Sequence, residues 1–451
     1  MTAKGFLGKT DDLAYHNTTR GMQGMLQLKG KRLLLLGGSL WKDAIRGFAD
    51  RAGIVLVATG NNRSAGIFEI ADEWYDVDST NDEAMKELIL SKKIDGVYMG
   101  GSEAVISSAV RYLNNLKMPC YCTEMQWRKF QNKESFKKLC SEHGLPVVRQ
   151  YHITLDDIMN ESVDVDFPVI TKPSDGSGSS GFSVCYDFEQ LATGYLKARD
   201  CSPASSVIVE KFVKNDSIVV FYTFSNGKMY FSGIEDKYPV KYEEHGSYVA
   251  GMHVFESSRK DEFRTRYEPL IEKMCTSLQI REGSIWMEVF CDGDDYYFNE
   301  AGYRYSGSVS PYPINYFYEI NQIAADMYFA LTGQSRIRGL GSLIAGSVPR
   351  KKRYCIYSIH LAPGKISSIE GVERVLEYEN VIAMPITMKE QDTVRSTGTV
   401  AQVFGFVHFV FDSDDECLDT ISKIHSTLRI TDTEGKNMVA ELLELSSLSL
   451  R

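Results

Sequence analysis

The sequence has no run of apolar residues approaching the roughly 18 that a membrane-spanning helix needs, so no membrane partner is expected. The first thirty residues are polar and lack an apolar core of signal-peptide length, which points to a cytoplasmic protein. There is no CxxC pair. Nine cysteines (Cys120, Cys122, Cys140, Cys185, Cys201, Cys275, Cys291, Cys355, Cys417) are scattered, and an odd number without a framework suits reduced thiols, not a disulfide scaffold. Basic residues are in deficit, 50 Lys and Arg against 60 Asp and Glu, and a net charge of −10 argues against a protein whose main business is nucleic acid. It leaves room for a small basic pocket. Internal repeats, low-complexity tracts and a motif for a covalent nucleophile are all missing. So is a GxGxxG fingerprint: the first apolar run closes on Gly37-Gly38-Ser39, and the second, ending in VATGNN, has no acidic residue after it. A nicotinamide-dependent dehydrogenase is therefore a poor reading.

What remains is a chain of 451 residues, 43% hydrophobic and 24% charged, long enough for two to four domains with large cores. Strand-like runs KRLLLLGG (31–38), IVLVAT (54–59), IDGVYMGG (94–101) and MPCYCT (118–123) alternate with helical patterns such as 40–53. They predict a Rossmann-like doubly wound α/β unit over 31–130, after an N-terminal arm at 1–30. NKESFKKLCSEHG (132–144) predicts a helix with Asn132 as N-cap and Phe136, Leu139 and Cys140 inward. Residues 145–235 read as a small α+β lobe with an antiparallel sheet. Helical spacing over 260–278, strands SIWMEVF and DYYFNEA, and one long helix over 314–333 follow, in a region expected to end near 345. The basic run Arg350–Arg353 reads as solvated linker, and 346–451 predicts a smaller C-terminal α+β domain. The fold class is thus α/β and α+β combined.

The chemistry begins at TKPSDGSGSSGF (171–182). Lys172 leads into a loop in which Gly176, Gly178 and Gly181 let backbone N–H groups turn inward, while Ser177, Ser179 and Ser180 add hydroxyl donors. Such a loop can cover a polyphosphate, the lysine supplying charge. Taken alone, a linker is its commoner meaning. Two glutamates change the balance. Glu288 shares a strand face with Trp286 and Phe290, and Glu300 one with Tyr296 and Phe298, surroundings that are costly for a carboxylate unless its charge is compensated. If Asp292, Gly293 and Asp294 loop out between the strands, Glu288 falls opposite Phe298 and Glu300 is its diagonal neighbour, with Cβ atoms roughly 7–8 Å apart. A two- or four-residue loop puts the glutamates on opposite faces. A same-face pair can share Mg²⁺ ions that bridge to phosphates. Arg304, four residues on, can clamp a phosphoryl or carboxylate oxygen.

Lys133 on its helix, Lys172 with its glycine loop, VEKFV, MEVF and NEAGYR, in that order, resemble the ATP-grasp superfamily. The nearest resemblance is to its carboxylate–amine ligase branch, which includes L-amino acid ligases, biotin carboxylase and glycinamide ribonucleotide synthetase. It covers most of the chain: the α/β unit as the preceding domain, 131–345 as the nucleotide-binding core with a lid lobe at about 145–235, and the tail as a variable domain. The resemblance implies that Lys133 and Lys172 contact ATP phosphates beneath Ser177, Gly178, Ser179, Ser180 and Gly181. Glu210 would approach the adenine amino group, the Lys211 and Val213 backbones the adenine edge, and Asp216, where a glutamate is usual, the ribose. Glu288 and Glu300 would hold magnesium, for which manganese can substitute, and Arg304 and Lys172 would be catalytic. His245, Ser306 and Gly307 are candidate substrate contacts. One departure stands out: the usual Glu-x-Asn-x-Arg is Glu300-Ala301-Gly302-Tyr303-Arg304 here, without the asparagine that serves a second magnesium. A water, Asn299 or the substrate is the available replacement. The implied activity is ATP-dependent joining of a carboxylate, such as an amino acid, to an amine through an acyl-phosphate. Alternatives are an unusual acid or nucleophile (bicarbonate, a nucleotide- or sugar-linked amine) and a nucleotide-binding scaffold without turnover. The surfaces permit a homodimer, though no segment specifies one.

Overall fold

The computed structural model describes residues 26–174, 181–213, 216–242, 247–344, 352–441 and 450. Its first unit is a parallel sheet of β1 (Arg32–Leu35), β2 (Val55–Thr59), β3 (Glu73–Tyr75) and β4 (Gly96–Tyr98) in the order β3-β2-β1-β4. Leu33, Leu34 and Leu35 are wholly buried, as a strand covered on both faces requires. The fourth strand differs from expectation. MPCYCT forms no strand, because side chains satisfy its carbonyls: Asn114 Nδ2 donates to the Cys122 carbonyl (3.2 Å) and Tyr303 Oη to that of Tyr121 (3.0 Å). The edge is taken by β3, whose Glu73 receives a bidentate hydrogen bond from Arg32 at 2.7 and 2.8 Å.

A second, small sheet of β5 (Gln150–Tyr151), β6 (Val169–Pro173), β7 (Ser183–Cys185) and β8 (Val207–Lys211) runs β5-β8-β6-β7, all antiparallel. This lobe is shorter than the 145–235 span expected. Strands β9 (Asp216–Ser225) and β10 (Lys228–Tyr242) belong instead to a large antiparallel sheet, with β11 (Ser247–Phe255), β12 (Gly283–Asp292), β13 (Asp295–Gly302) and β14 (Arg353–His360). After β15 (Gly364–Glu370), β16 (Val381–Ala383) and β17 (Thr393–Val394) comes β18 (Val403–Phe411), and the last strand is β19 (Arg429–Asp432). The large sheet reads β13-β12-β9-β10-β11-β14-β18-β16. It crosses the division expected at 345/346, because β11 pairs directly with β14. Strands β17, β15 and β19 make a small separate sheet.

One face of the large sheet is core. Ile218, Val220, Tyr222, Met287, Val289, Tyr296 and Phe298 pack on Phe263, Tyr267, Ile271 and Met274 of the helix Lys260–Ser277. The long helix expected over 314–333 is two, Pro311–Tyr318 and Gln322–Thr332, separated at Glu319 (φ 57°) and restarted by the Asn321 side chain, which accepts from the Ala324 N–H at 3.0 Å. No helix among the described residues is long and apolar enough to cross a membrane.

Candidate active site

The face of β12 and β13 away from that core carries the two glutamates, by a route the sequence does not suggest. The turn between the strands has two residues, Gly293 and Asp294, since Asp292 pairs with Asp295. An unbroken ladder from there would send Glu288 and Glu300 to opposite faces. A β-bulge intervenes: Val289 pairs with Phe298, but Glu288 pairs with Glu300, leaving Asn299 as the extra residue. The three-residue loop is thus corrected, and so is the partner. Glu288 lies directly opposite Glu300, and the bulge frees Glu300 from the apolar face of Tyr296 and Phe298.

Both carboxylates are compensated. Lys237 of β10 lies 2.6 Å from Glu288 Oε1, and the Asn299 amide donates to Glu288 Oε2 at 2.8 Å. Burial alone would raise the pKa of Glu288, but Lys237, Asn299 and Lys133 bring it below the usual carboxylate range. Lys133 Nζ lies 3.3 Å from Glu300 Oε2. It opens the helix Lys133–Glu142, which is capped as expected by Asn132 accepting from the Ser135 N–H at 2.8 Å. Burial works against its ammonium, yet Glu300, Glu288 and Glu210 together hold its pKa above the lysine norm.

That last partner links to a second cluster. Glu210, on β8 and only 1% exposed, takes Lys172 Nζ at 2.7 Å on one oxygen and the Lys137 ammonium on the other. A buried carboxylate needs such partners. Its pKa is lowered by Lys172 and Lys137 against the opposing effect of burial. For Lys137, burial and then the neighbouring Lys172 outweigh its share of one carboxylate and depress its pKa to about 8. Glu210, which the resemblance aims at adenine, therefore has both oxygens engaged by lysines. Lys211 reaches Asp166 Oδ1 at 3.0 Å and the Phe167 carbonyl at 3.0 Å, bracing the entry to β6.

Arg304 follows β13. Its guanidinium lies 2.6 Å from Glu103, donates to the Tyr305 carbonyl at 2.7 Å and stands 5.4 Å from the Trp286 ring. Glu103 opens the helix Glu103–Leu116 of the α/β unit. Trp41 and Tyr98 of the same unit pack against the ring of the next residue, Tyr305, with Trp41 Nε1 donating to Tyr98 Oη at 2.7 Å, while Tyr305 Oη donates to half-buried Asp326 of the helix Gln322–Thr332. Burial pushes the Asp326 carboxyl up to about 7. Ser306 is buried, its hydroxyl shared with Ser308, and Gly307 faces open space.

Ser177, Gly178, Ser179, Ser180 and His245 lie outside the described residues, and so does the Asp216 side chain; Val213 ends its described segment. Gly181 is described, at φ 75°, where a Cβ would come within 2.9 Å of Cys201 and Pro173, so only glycine fits. Sequence reasoning missed Lys137, Lys237 and Glu103. Lys137 had a signal, standing four residues after Lys133 on one helical stripe with Cys140. Among the described residues no group of three or more His, Cys, Asp or Glu could hold a metal. Two carboxylates and the Asn299 Oδ1, which is buried without a hydrogen-bond partner among the described residues, are nonetheless an all-oxygen set suited to a magnesium ion that takes its remaining ligands from phosphate and water.

Residues 132–219 match the family model described as "Carbamoyl-phosphate synthase L chain, ATP binding domain". The formate-dependent phosphoribosylglycinamide formyltransferase of Proteus mirabilis is 25% identical over 285 residues, 62% of this chain and 69% of that one. The L-amino acid ligase of Bacillus licheniformis superposes with a TM-score of 0.70 at 18% identity, covering 90% of this chain and 99% of its own. The biotin carboxylase domain of the Hydrogenobacter thermophilus 2-oxoglutarate carboxylase, solved with MgADP and bicarbonate, also gives 0.70, at 15% identity over 89% and 90%. The family match thus lies on the lysine-bearing segment, and the fold around it is similar to that of these solved enzymes.

Proposed function

We propose that the chain is an ATP-dependent carboxylate–amine ligase that forms an amide or peptide bond through an acyl-phosphate and releases ADP and phosphate. The observation that carries this reading is the Glu288–Glu300 pair, opposed across a bulge within electrostatic reach of Lys133 and, through it, of the Lys137–Glu210–Lys172 cluster. Glu288, Glu300 and Asn299 would hold Mg²⁺, or Mn²⁺ in its place, which when bound offsets charge between the triphosphate and the incoming carboxylate.

The chain's own residues do the rest. Lys172, Lys137 and Lys133 place three ammonium groups where phosphate oxygens gather, one more than Glu210 and Glu300 neutralise between them. Arg304 orients the substrate carboxylate so that its oxygen attacks the terminal phosphorus as the bond to ADP breaks. An amine then attacks the acyl carbon, phosphate leaves with the C–O bonding electrons, and the amine proton is lost to phosphate or solvent. Glu103, half exposed beside Arg304, is a carboxylate able to accept from that amine's N–H. The relatives' names supply a formate in one case and an L-amino acid in the other, so small carboxylic acids are the class to try first. All nine cysteines are unpaired, which suits a reducing cytoplasm.

The test is ADP release with a panel of amino acids, dipeptides, formate and bicarbonate, each with and without an amine. Release that depends on both an acid and an amine is the expected result. Magnesium-dependent ATP binding with no phosphate release across the panel would replace the ligase by a nucleotide-binding scaffold.

A further inference from the structure

Gly302 has no room for a side chain. A Cβ there would fall 2.4 Å from Trp286 Nε1, 2.7 Å from its Cε2 and 2.9 Å from its Cζ2. Trp286 and Gly302 are direct cross-strand partners, one pleat along from the Glu288–Glu300 pair. Strand alternation puts the indole and both carboxylates on one face. The indole therefore fills the place where a side chain at 302 would start, and an asparagine at this position would have to displace it.

The indole nitrogen is what makes this more than packing. Trp286 Nε1 is buried, and it has no hydrogen-bond partner among the described residues. An indole N–H only donates, and a buried donor is costly to leave unpaired. Its missing partner is therefore an acceptor. The Arg304 guanidinium, 5.4 Å from the indole ring, is paired with half-exposed Glu103 and can be shared with an anion at this corner, while Glu288 and Glu300 are already engaged by Lys237, Asn299 and Lys133. An acceptor that brings negative charge between Arg304 and the two glutamates is a phosphoryl oxygen. We propose that Trp286 is a catalytic residue whose Nε1–H donates to an oxygen of the phosphoryl group in transfer, supplying from the chain a contact that a side chain at 302 cannot make. The indole keeps its proton throughout. The assignment rests on the ligase reading and names a donor within that same site.

The test uses the full chain labelled with [¹⁵N]tryptophan, whose four tryptophans give four indole signals. The Trp286 signal is identified by its loss in Trp286→Phe. Adding Mg·AMP-PNP should move that signal downfield, and adding Mg·ADP, which lacks the terminal phosphoryl group, should not. Gly302→Ala, by displacing the indole, should abolish the shift. In ADP release, Trp286→Phe should lower kcat by about 10- to 100-fold with Mg·ADP affinity unchanged by calorimetry. A signal that stays put with Mg·AMP-PNP, or a Trp286→Phe enzyme with wild-type kcat, overturns the proposal. If the wild type releases no ADP with any acid and amine, the ligase reading fails by itself, and the indole signal still decides whether Trp286 meets the phosphoryl group. If calorimetry detects no Mg·AMP-PNP binding, both fall.

Discussion

Around Glu210 two lysines share one carboxylate; around Glu288 and Glu300 two lysines are spread over two. The first cluster carries one surplus positive charge and the second none. On the proposed ligase reading, the difference divides the work between the halves. A surplus of cations in a buried place is stable only with an anion to come, which fits the lobe that would receive the triphosphate. A neutral set of carboxylates already held by ammonium groups can admit a divalent ion by sharing or exchanging its lysines. The two halves sit on different sheets and are linked by Lys133, whose ammonium feels Glu300, Glu288 and Glu210 at once.

The comparison can be broken most sharply at Glu300. Glu300→Gln should lower ADP release by about a thousandfold or more while nucleotide binding stays measurable by calorimetry; unchanged turnover would refute the metal assignment. Glu210→Gln should leave two largely buried lysines without a counter-charge and lose about 3–5 kcal/mol of stability in denaturant unfolding. A loss below about 1 kcal/mol would mean that Lys137 and Lys172 do not depend on Glu210. Arg304→Ala should cost about a hundredfold in kcat, read in the ADP assay, with little change in ATP affinity; a change in affinity alone would make it a binding residue. The smallest effect is one of pH. Lys137, with a folded-state pKa of about 8, should lose its charge as pH rises, so ATP affinity should fall about threefold to tenfold from pH 7 to pH 9.5 and Lys137→Met should flatten that decline. The sign for stability is opposite. Between about 8 and the ordinary 10.5 the unfolded chain holds the proton that the folded one has lost, so the wild type should gain stability relative to Lys137→Met over that window.

Much of this was legible in the chain, and the gaps have physical reasons. The alternation of strands and helices, the Asn132 cap and the order of lysine, glycine loop and two glutamates were readable because they depend on local spacing. The pairing of Glu288 with Glu300 was not. Sequence alternation assigns faces correctly only along an unbroken ladder, and the extra Asn299 switches parity within one residue. The same-face conclusion held, but for a different reason. Lys237 and Glu103 were missed because their meaning is tertiary: one lies two strands away across β9, the other about two hundred residues away in the α/β unit. MPCYCT looked like a strand because it is a short apolar run, although only Cys122 is fully buried and side chains take the Tyr121 and Cys122 carbonyls.

The pairing of β11 with β14 bears on how the gene could be cut. Ending translation after the nucleotide-binding segment would strip Ser247–Phe255 of its outer neighbour and lay open a raw ladder edge, with Met252 and Val254 bared. Such a fragment should stick to itself before it could be assayed. The last hundred residues are thus the selvedge of the same cloth, and only the uncut protein can report on the chemistry woven into its other border.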